Sequence, residues 1–329
     1  MTSVSYHDTV NVLQDFALAS VSPFERREWF ELLSREGGLS PLIAVAQDGS
    51  DVIALPMMRQ DGVLVPLANW YSFMWMPLAS EGAALPEMLA AIATDLRSQS
   101  GRVTLWPVPE DGGCAQTIAT AFRQSGWVVF TQTCDLNHVL RINGRDYAAY
   151  LASRPGPLRT TLKRKSKHLD VSIDCTFDDQ SWRDYETIYN ASWKPSEGRP
   201  AMLRRFAEQE GSAGRLRLAI ARHEGEAVAA QFWTVESGTA FIHKLAHLEE
   251  SKQLSAGTVL TAALMEQVID RDCVDLVDFG TGDDPYKGVW MEETRKRCRI
   301  ECFRPGNPGN WPLIAKAAIH KLASRRRAG

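Results

Sequence analysis

The sequence predicts an α+β protein built as two tandem lobes, each with a mixed, mostly antiparallel central sheet flanked by helices. Three observations lead there. The chain has 329 residues, beyond the ~250–300 at which a single core stops growing. Its two halves repeat one order of apolar runs and turns, and in each half an amphipathic stretch and a further strand follow the repeat.

In the first half the runs are Pro41–Ala46, Asp51–Arg59 and Gly62–Met76, with Gln47-Asp48-Gly49-Ser50 turning between the first two. In the second half they are Leu216–Arg222, Ala227–Val235 and Thr239–His247, with His223-Glu224-Gly225-Glu226 at the turn. Asp-Gly and Glu-Gly turns between alternating runs indicate antiparallel meanders. Helical periodicity follows in Leu85–Gln99 and Gly257–Arg271, each leading into a strand, Arg102–Val108 and Val274–Phe279. Helices also precede the meanders, at Pro23–Arg35, Trp182–Ala191 and Ala201–Glu208. Arg154-Pro155-Gly156-Pro157 interrupts regular structure, so lobes of 1–148 and 149–329 are expected.

Composition narrows the function classes. Hydrophobic residues make up 44% and charged residues 23%, and no stretch approaches the ~20 apolar residues that span a bilayer. With no secretory signal pattern at the N-terminus, a cytoplasmic protein is expected. The six cysteines are scattered without zinc spacing, which predicts free, mostly buried thiols and no metal. The net charge of −3 conceals an asymmetry: residues 1–150 hold nine Arg, no Lys and sixteen acids, and the first lysine is Lys163. An anionic ligand would therefore favour the second half.

The most informative segment there is Leu254-Ser255-Ala256-Gly257-Thr258, small residues that open a helix directly after a strand. Small side chains let an anion reach the backbone, where unsatisfied N–H groups and the positive end of the helix dipole attract it. An ordinary helix start capped by Ser255 or Thr258 would read the same way. The equivalent turn of the first half carries Glu81, which repels phosphate. Further on, Asp278 and Asp283 flank a Gly-rich loop at the carboxyl end of a strand, with Tyr286 and Lys287 beyond. Such loops commonly hold function, although Lys287 could merely pair with Asp283 or Asp284. Alternation along Phe241–His247 sets His243 and His247 on one face and Lys244 on the other; His247, nearest the small-residue turn, is the candidate base. Arg159, Lys163 and Lys167 recur at helical spacing and make one face cationic, either solvated or meeting phosphate.

Leu158–His168 with the strand Val171–Phe177, Ser192-Trp193-Lys194, Ser255-Ala256-Gly257, and Asp278-Phe279-Gly280-Thr281-Gly282-Asp283 with Tyr286-Lys287 together resemble the acetyltransferase-like proteins of bacterial cellulose and exopolysaccharide synthesis. These belong to the GNAT superfamily and are similar to the Fem-type aminoacyltransferases. The resemblance covers about residues 145–300. It implies two GNAT-like lobes, the first non-catalytic, and an N-acyltransferase moving an acyl group from acyl-CoA, acetyl or longer, to an amine of a small molecule or sugar precursor. It implies a donor pocket made by a β-bulged strand and the next helix, with Leu254, Ser255, Ala256, Gly257 and Thr258 holding the pyrophosphate. His247 or Asp278 would relay the proton, Tyr286 would protonate the leaving thiolate, and Lys287 would stand at the donor or leaving group. Trp193, Lys244, Asp283, Arg159 and Lys163 are the expected substrate contacts. Aminoacyl-tRNA as donor, and a scaffold for polysaccharide assembly touching the membrane through the basic C-terminal helix, remain the alternatives; DNA is not an expected partner.

Overall fold

The computed structural model describes residues 2–328, with side chains to residue 319. In chain order the strands are β1 (Ser3–His7), β2 (Pro41–Asp48), β3 (Asp51–Gln60), β4 (Val63–Pro66), β5 (Leu78–Ala79), β6 (Arg102–Pro109), β7 (Val128–Arg141), β8 (Asp170–Asp174), β9 (Leu216–His223), β10 (Glu226–Glu236), β11 (Thr239–His247), β12 (Leu276–Thr281) and β13 (Glu293–Phe303). The helices are α1 (Arg27–Arg35), α2 (Leu85–Gln99), α3 (Cys114–Gln124), α4 (Tyr147–Ala152), α5 (Gly156–Lys165), α6 (Asp179–Ala191), α7 (Pro200–Ser212), α8 (Ala256–Glu266), α9 (Pro285–Trp290) and α10 (Trp311–Ala328).

Two compact units result. The first joins Met1–Leu136 to Arg295–Gly329, and the second is Asn137–Thr294. In the first, the order is β1-β2-β3-β4-β6-β13, antiparallel except for the parallel step from β4 to β6. In the second it is β8-β9-β10-β11-β12-β7, antiparallel except for the parallel step from β11 to β12. The strands of the two units thus share one plan: an edge strand, a three-strand meander, a parallel strand reached through a helix, and a further antiparallel strand.

The closing strands corrects the expected boundary. The second unit is closed by residues 137–141 of β7, which precede it, and the first by β13, which follows the second unit. The chain therefore crosses between units twice, not once at 148/149. The Pro-Gly-Pro interruption that suggested a boundary instead separates α4 from α5, with Asp146 capping α4 through its side chain.

Other elements differ locally. The third apolar run of the first half yields only β4; farther along it, Trp75 donates its indole N–H to Pro56 O at 2.7 Å. The helix expected over Gly257–Arg271 is α8 continued by a π-helical turn, Gln267–Arg271. Among the cysteines, Cys298 and Cys302 are buried, but Cys134, Cys175 and Cys273 are exposed; all six are free. On α10, Trp311, Leu313 and Ile319 are exposed; the side chains of Lys321, Arg325, Arg326 and Arg327, which supplied the expected membrane contact, lie outside the described residues. Among the described residues no helix is long and apolar enough to cross a membrane.

The second unit's core forms on both faces of its sheet because successive strand residues point to opposite sides. Phe232 meets Trp182 of α6 and Phe206 of α7, at ring-centroid distances of 5.8 and 5.7 Å. Trp233 faces the other way, into a cluster with Leu260 and Leu264 of α8 and Leu158 and Leu162 of α5. Full burial of an aromatic side chain contributes about 1.5–3 kcal/mol, so these neighbouring residues fix both helical layers to one strand.

A fragment test follows from the closing strands. Residues 137–294 expressed alone are expected to unfold cooperatively in urea. Residues 149–329, which lack the β7 edge of their own sheet, are expected to show no cooperative transition. Equal cooperativity in the two fragments contradicts the assignment of β7 to the second unit.

Candidate active site

The parallel ladder between β11 and β12 is short. It pairs Thr239 with Leu276, Ala240 with Val277 and Phe241 with Asp278, and then stops. Immediately afterwards the β10–β11 register shifts, with Phe232 opposite Lys244 but Trp233 opposite Ile242, so His243 is the extra residue of a β-bulge. Bulges bend the strand that contains them, and from this point β11 and β12 diverge.

Asp278 holds the diverging end of β12. Its buried Oδ1 accepts hydrogen bonds from the Gly280 N–H and from Asn137 Nδ2, both at 2.7 Å. Asn137, fully buried on β7, also donates to Gly280 O at 3.0 Å. Gly280 has φ +67°, a conformation a side chain would strain. Asp278 is therefore engaged in the turn and does not line the cavity.

That cavity opens between the diverging strands, with a volume of about 360 Å³. Leu245 and His247 line it from β11, Phe279 from β12, Ser255 to Thr258 from the start of α8, and Asp284, Tyr286 and Lys287 from the start of α9. Trp193, Lys194 and Lys252 complete the wall. Of the expected donor-holding segment, only Leu254 is outside this lining.

The start of α8 is not the ordinary capped kind. Ser255 occupies the Ncap position in the left-handed region, φ 53° and ψ 35°, and no side chain caps the helix. No acid lies in the first turn. The dipole and the leading N–H groups thus act on the cavity without a neutralising side chain. A Cβ built on Gly257 would make ordinary van der Waals contact with His247 Cδ2 at 3.5 Å and Leu245 Cδ2 at 3.8 Å, so the helix start packs directly beside the two β11 side chains that line the cavity.

His247 Nδ1 lies 3.1 Å from Leu248 O. A carbonyl only accepts, so Nδ1 bears the proton and Nε2 is the basic nitrogen of the neutral ring. Trp193 stacks against this imidazole, ring centroids 4.3 Å apart.

Tyr286 ends a buried polar chain. Its hydroxyl is 3.0 Å from Thr261 Oγ1; Gln231 Nε2 donates to Thr261 Oγ1 at 2.7 Å and to Gly257 O at 2.9 Å; Trp233 Nε1 donates to Gln231 Oε1 at 2.9 Å. Thr261 Oγ1 also reaches Gly257 O at 2.9 Å, so its single proton can serve either Gly257 O or the tyrosine oxygen. Burial raises the Tyr286 pKa, against the hydrogen bonds that lower it, so the phenol keeps its proton through the neutral range. Lys287 donates to the carbonyls of Gly280 and Thr281.

The remaining expected contacts lie elsewhere in the unit. Lys244 pairs with Glu197 at 2.9 Å, both nearly buried, over the ring of Tyr189; burial depresses its pKa while Glu197 opposes the shift. Removing one member of such a pair costs about 3–5 kcal/mol, which marks Lys244 as a structural cation. Asp283 is exposed and meets His138 Nε2 at 2.9 Å. Arg159 and Lys163 are exposed on α5 and do not line the cavity.

Lys194, Lys252, Asp284, Gln231, Thr261 and Asn137 were not among the expected site residues. Asp284 had a legible signal, an Asp before a Pro at a helix start, and its side chain indeed caps α9 by accepting the Tyr286 N–H at 2.8 Å. Gln231 and Thr261 are polar residues within apolar runs, a sign of a buried partner whose identity depends on tertiary pairing.

The sequence model of the acetyltransferase (GNAT) domain matches residues 157–288. Among solved structures, FemX is similar with TM-score 0.63 at 9% identity, covering 91% of this chain and 96% of that one. A tandem GNAT protein from the clavulanic acid biosynthesis pathway gives TM-score 0.53 at 15% identity, covering 91% and 98%. The fold is that of tandem GNAT proteins. L-PGS from Bacillus licheniformis shares this GNAT fold, with TM-score 0.53, 13% identity and coverage of 93% and 99%. No curated protein matches the chain by sequence.

Asp278→Ala, which leaves the Gly280 N–H and Asn137 amide without their acceptor, is expected to lower stability by about 1–3 kcal/mol. Urea unfolding measures it; a loss below a few tenths of a kcal/mol would show that the GNAT-fold divergence of β11 and β12 does not need this carboxylate.

Proposed function

We propose that the chain is an N-acyltransferase that takes acyl-CoA in the cavity of the second unit and transfers the acyl group to an amine. The observation behind this reading is the uncapped start of α8, at the floor of a cavity that also presents a histidine with a free Nε2 and a protonated tyrosine. The residues suit the donor. Small side chains at Ser255, Ala256 and Gly257 let a pyrophosphate approach the Ala256 and Gly257 N–H groups, and about 360 Å³ suits a ligand arm of pantetheine size. Exposed Lys252 adds a cation at the rim.

In this reading positioning supplies most of the rate, and the chain's own groups move the protons. His247 Nε2 accepts the proton of the attacking amine, with Trp193 and Leu248 O fixing the ring. Tyr286 donates to the leaving sulfur. Thr261 can then turn its hydroxyl proton toward the tyrosine oxygen, since Gly257 O keeps its bond from Gln231. The bound donor supplies the activated acyl carbonyl. Lys287, by holding the Gly280 and Thr281 carbonyls, shapes the wall next to Phe279.

The first unit is assigned no donor. Glu81 stands at its equivalent turn and Glu87 in the first turn of α2, whereas α8 has no acid there. Within the acceptor class, a sugar or polysaccharide-precursor amine follows from the exopolysaccharide resemblance.

A second reading, aminoacyl-tRNA as donor, is favoured by the exposed cations Arg159, Lys163 and Lys167 of α5 and the turn after it. Phosphate contacts of that kind weaken steeply with salt.

Two measurements test the first reading. Calorimetric titration with CoA is expected to show binding that Gly257→Glu abolishes, because bulk and negative charge enter the cradle; unchanged affinity in a well-folded Gly257→Glu removes Ser255–Thr258 from the site. In thiol-release assays with acetyl-CoA and a panel of amines, Tyr286→Phe is expected to reduce kcat about 10²-fold or more with little change in donor KM. In the parent, the alkaline loss of activity due to Tyr286 should begin only above the ordinary tyrosine range, since its pKa is raised.

A further inference from the structure

Three lysines line the donor cavity, and they differ in what their amines do. Lys287 is committed to the Gly280 and Thr281 carbonyls. Lys252 is exposed, a hydrated cation at the rim. Lys194 is half-buried, and its Nζ lies over the Trp193 ring, 5.4 Å from the centroid. Its backbone is pinned just after α6: Lys194 N–H donates to Ser192 Oγ at 3.3 Å, and Ser192 Oγ donates to Tyr189 O at 2.7 Å. The indole that carries Nζ also stacks on His247. One aromatic ring thus places a primary amine and a basic imidazole nitrogen against the same cavity.

We propose that Lys194 is a self-acylation site, at which the amine of this chain takes the acyl group of a bound acyl-CoA. The inference rests on the donor reading above. In the step, Lys194 loses a proton to His247 Nε2 or water. The neutral Nζ forms an N–C bond at the thioester carbonyl, the C–S bond breaks, and the sulfur leaves with the Tyr286 proton; the second Nζ proton, lost as the amide forms, passes to the Tyr286 oxygen and restores the phenol. The products are Nζ-acyl-Lys194, free CoA thiol and one proton released to solvent. Burial lowers the Lys194 pKa, against Asp284 and Glu197, which raise it, so more of this amine is neutral at a given pH than of an ordinary lysine. An amide is stable, so the modification is terminal; it removes one cation from the cavity wall and puts the acyl chain in its place.

The test uses the full-length protein with acetyl-CoA or hexanoyl-CoA, intact mass and peptide mapping over time, and a parallel calorimetric titration with CoA. A single acyl group is expected at Lys194, appearing at least about tenfold faster than at exposed Lys252, as held proximity dictates. It should saturate with donor, be suppressed by CoA, and be absent in Lys194→Arg, whose thermal melt should match the parent. Acylation of Lys194 no faster than of Lys252, or insensitive to CoA, overturns the proposal. CoA binding without Lys194 modification overturns it while leaving the donor reading intact. Absence of CoA binding removes both.

Discussion

The structure of the second unit depends on where the β11–β12 ladder ends. A parallel pair that continued beyond Phe241 and Asp278 would close the sheet, and the start of α8 would face paired backbone instead of a cavity. Continuation is blocked on both sides. On β11 the bulge at His243 breaks the register with β10. On β12 the Asp278 carboxylate takes up the Gly280 N–H, a donor that would otherwise be available to a neighbouring strand.

The consequences of that divergence are chemical as well as geometric. Strand residues beyond the break, Leu245 and His247 on one side and Phe279 on the other, become walls. The helix that follows β11 begins at the bottom of the opening. The Ser255 and Thr258 N–H groups bond to Lys252 O and Ser255 O, and no side chain caps the helix start. The buried chain from Trp233 through Gln231 and Thr261 to Tyr286 then ties the floor to the α9 wall. Every link lies within 3.0 Å, and a fully bonded buried network of this kind rigidifies its surroundings. The site combines a rigid polar base with an uncapped helix start, which is the arrangement that favours an anionic ligand over water.

Much of this was legible in the sequence, and the losses have identifiable causes. The meanders, the helix after each and the strand beyond were readable because they depend on local periodicity and on turn residues such as Asp48-Gly49 and Glu224-Gly225. The small residues from Ser255 to Gly257, with His247, Tyr286 and Lys287, do meet at one cavity, because turn, strand end and loop all fall on the same edge of the sheet. Pairing between distant segments was not readable. Nothing local in Val128–Arg141 shows that its last residues belong to a different unit from its first, nor that Asn137 is the partner of Asp278, 141 positions away. Lys244 was placed on the correct strand, but its burial against Glu197 depends on the segment after α6 folding back over β11. The charge of Arg159 and Lys163 was legible; their distance from the cavity was not, because Leu158 and Leu162 turn the other face of α5 inward.

The cations of the second unit therefore divide by environment rather than by sequence. Lys244 is buried, paired with Glu197 and laid over the Tyr189 ring. Lys287 gives its protons to carbonyl oxygens, which makes it a brace for the wall and limits what it can offer a ligand. Lys252 is hydrated and can answer a phosphate at the rim. Lys194 is half-buried and laid on the Trp193 ring, as Lys287 is on Phe279, but among the described residues no carbonyl bonds its amine; the ring quadrupole favours the ammonium form and burial disfavours it. Burial lowers its pKa, against Asp284 and Glu197, which raise it. The same cavity thus holds cations in two environments, Lys252 hydrated at the rim and Lys194 half-buried against Trp193.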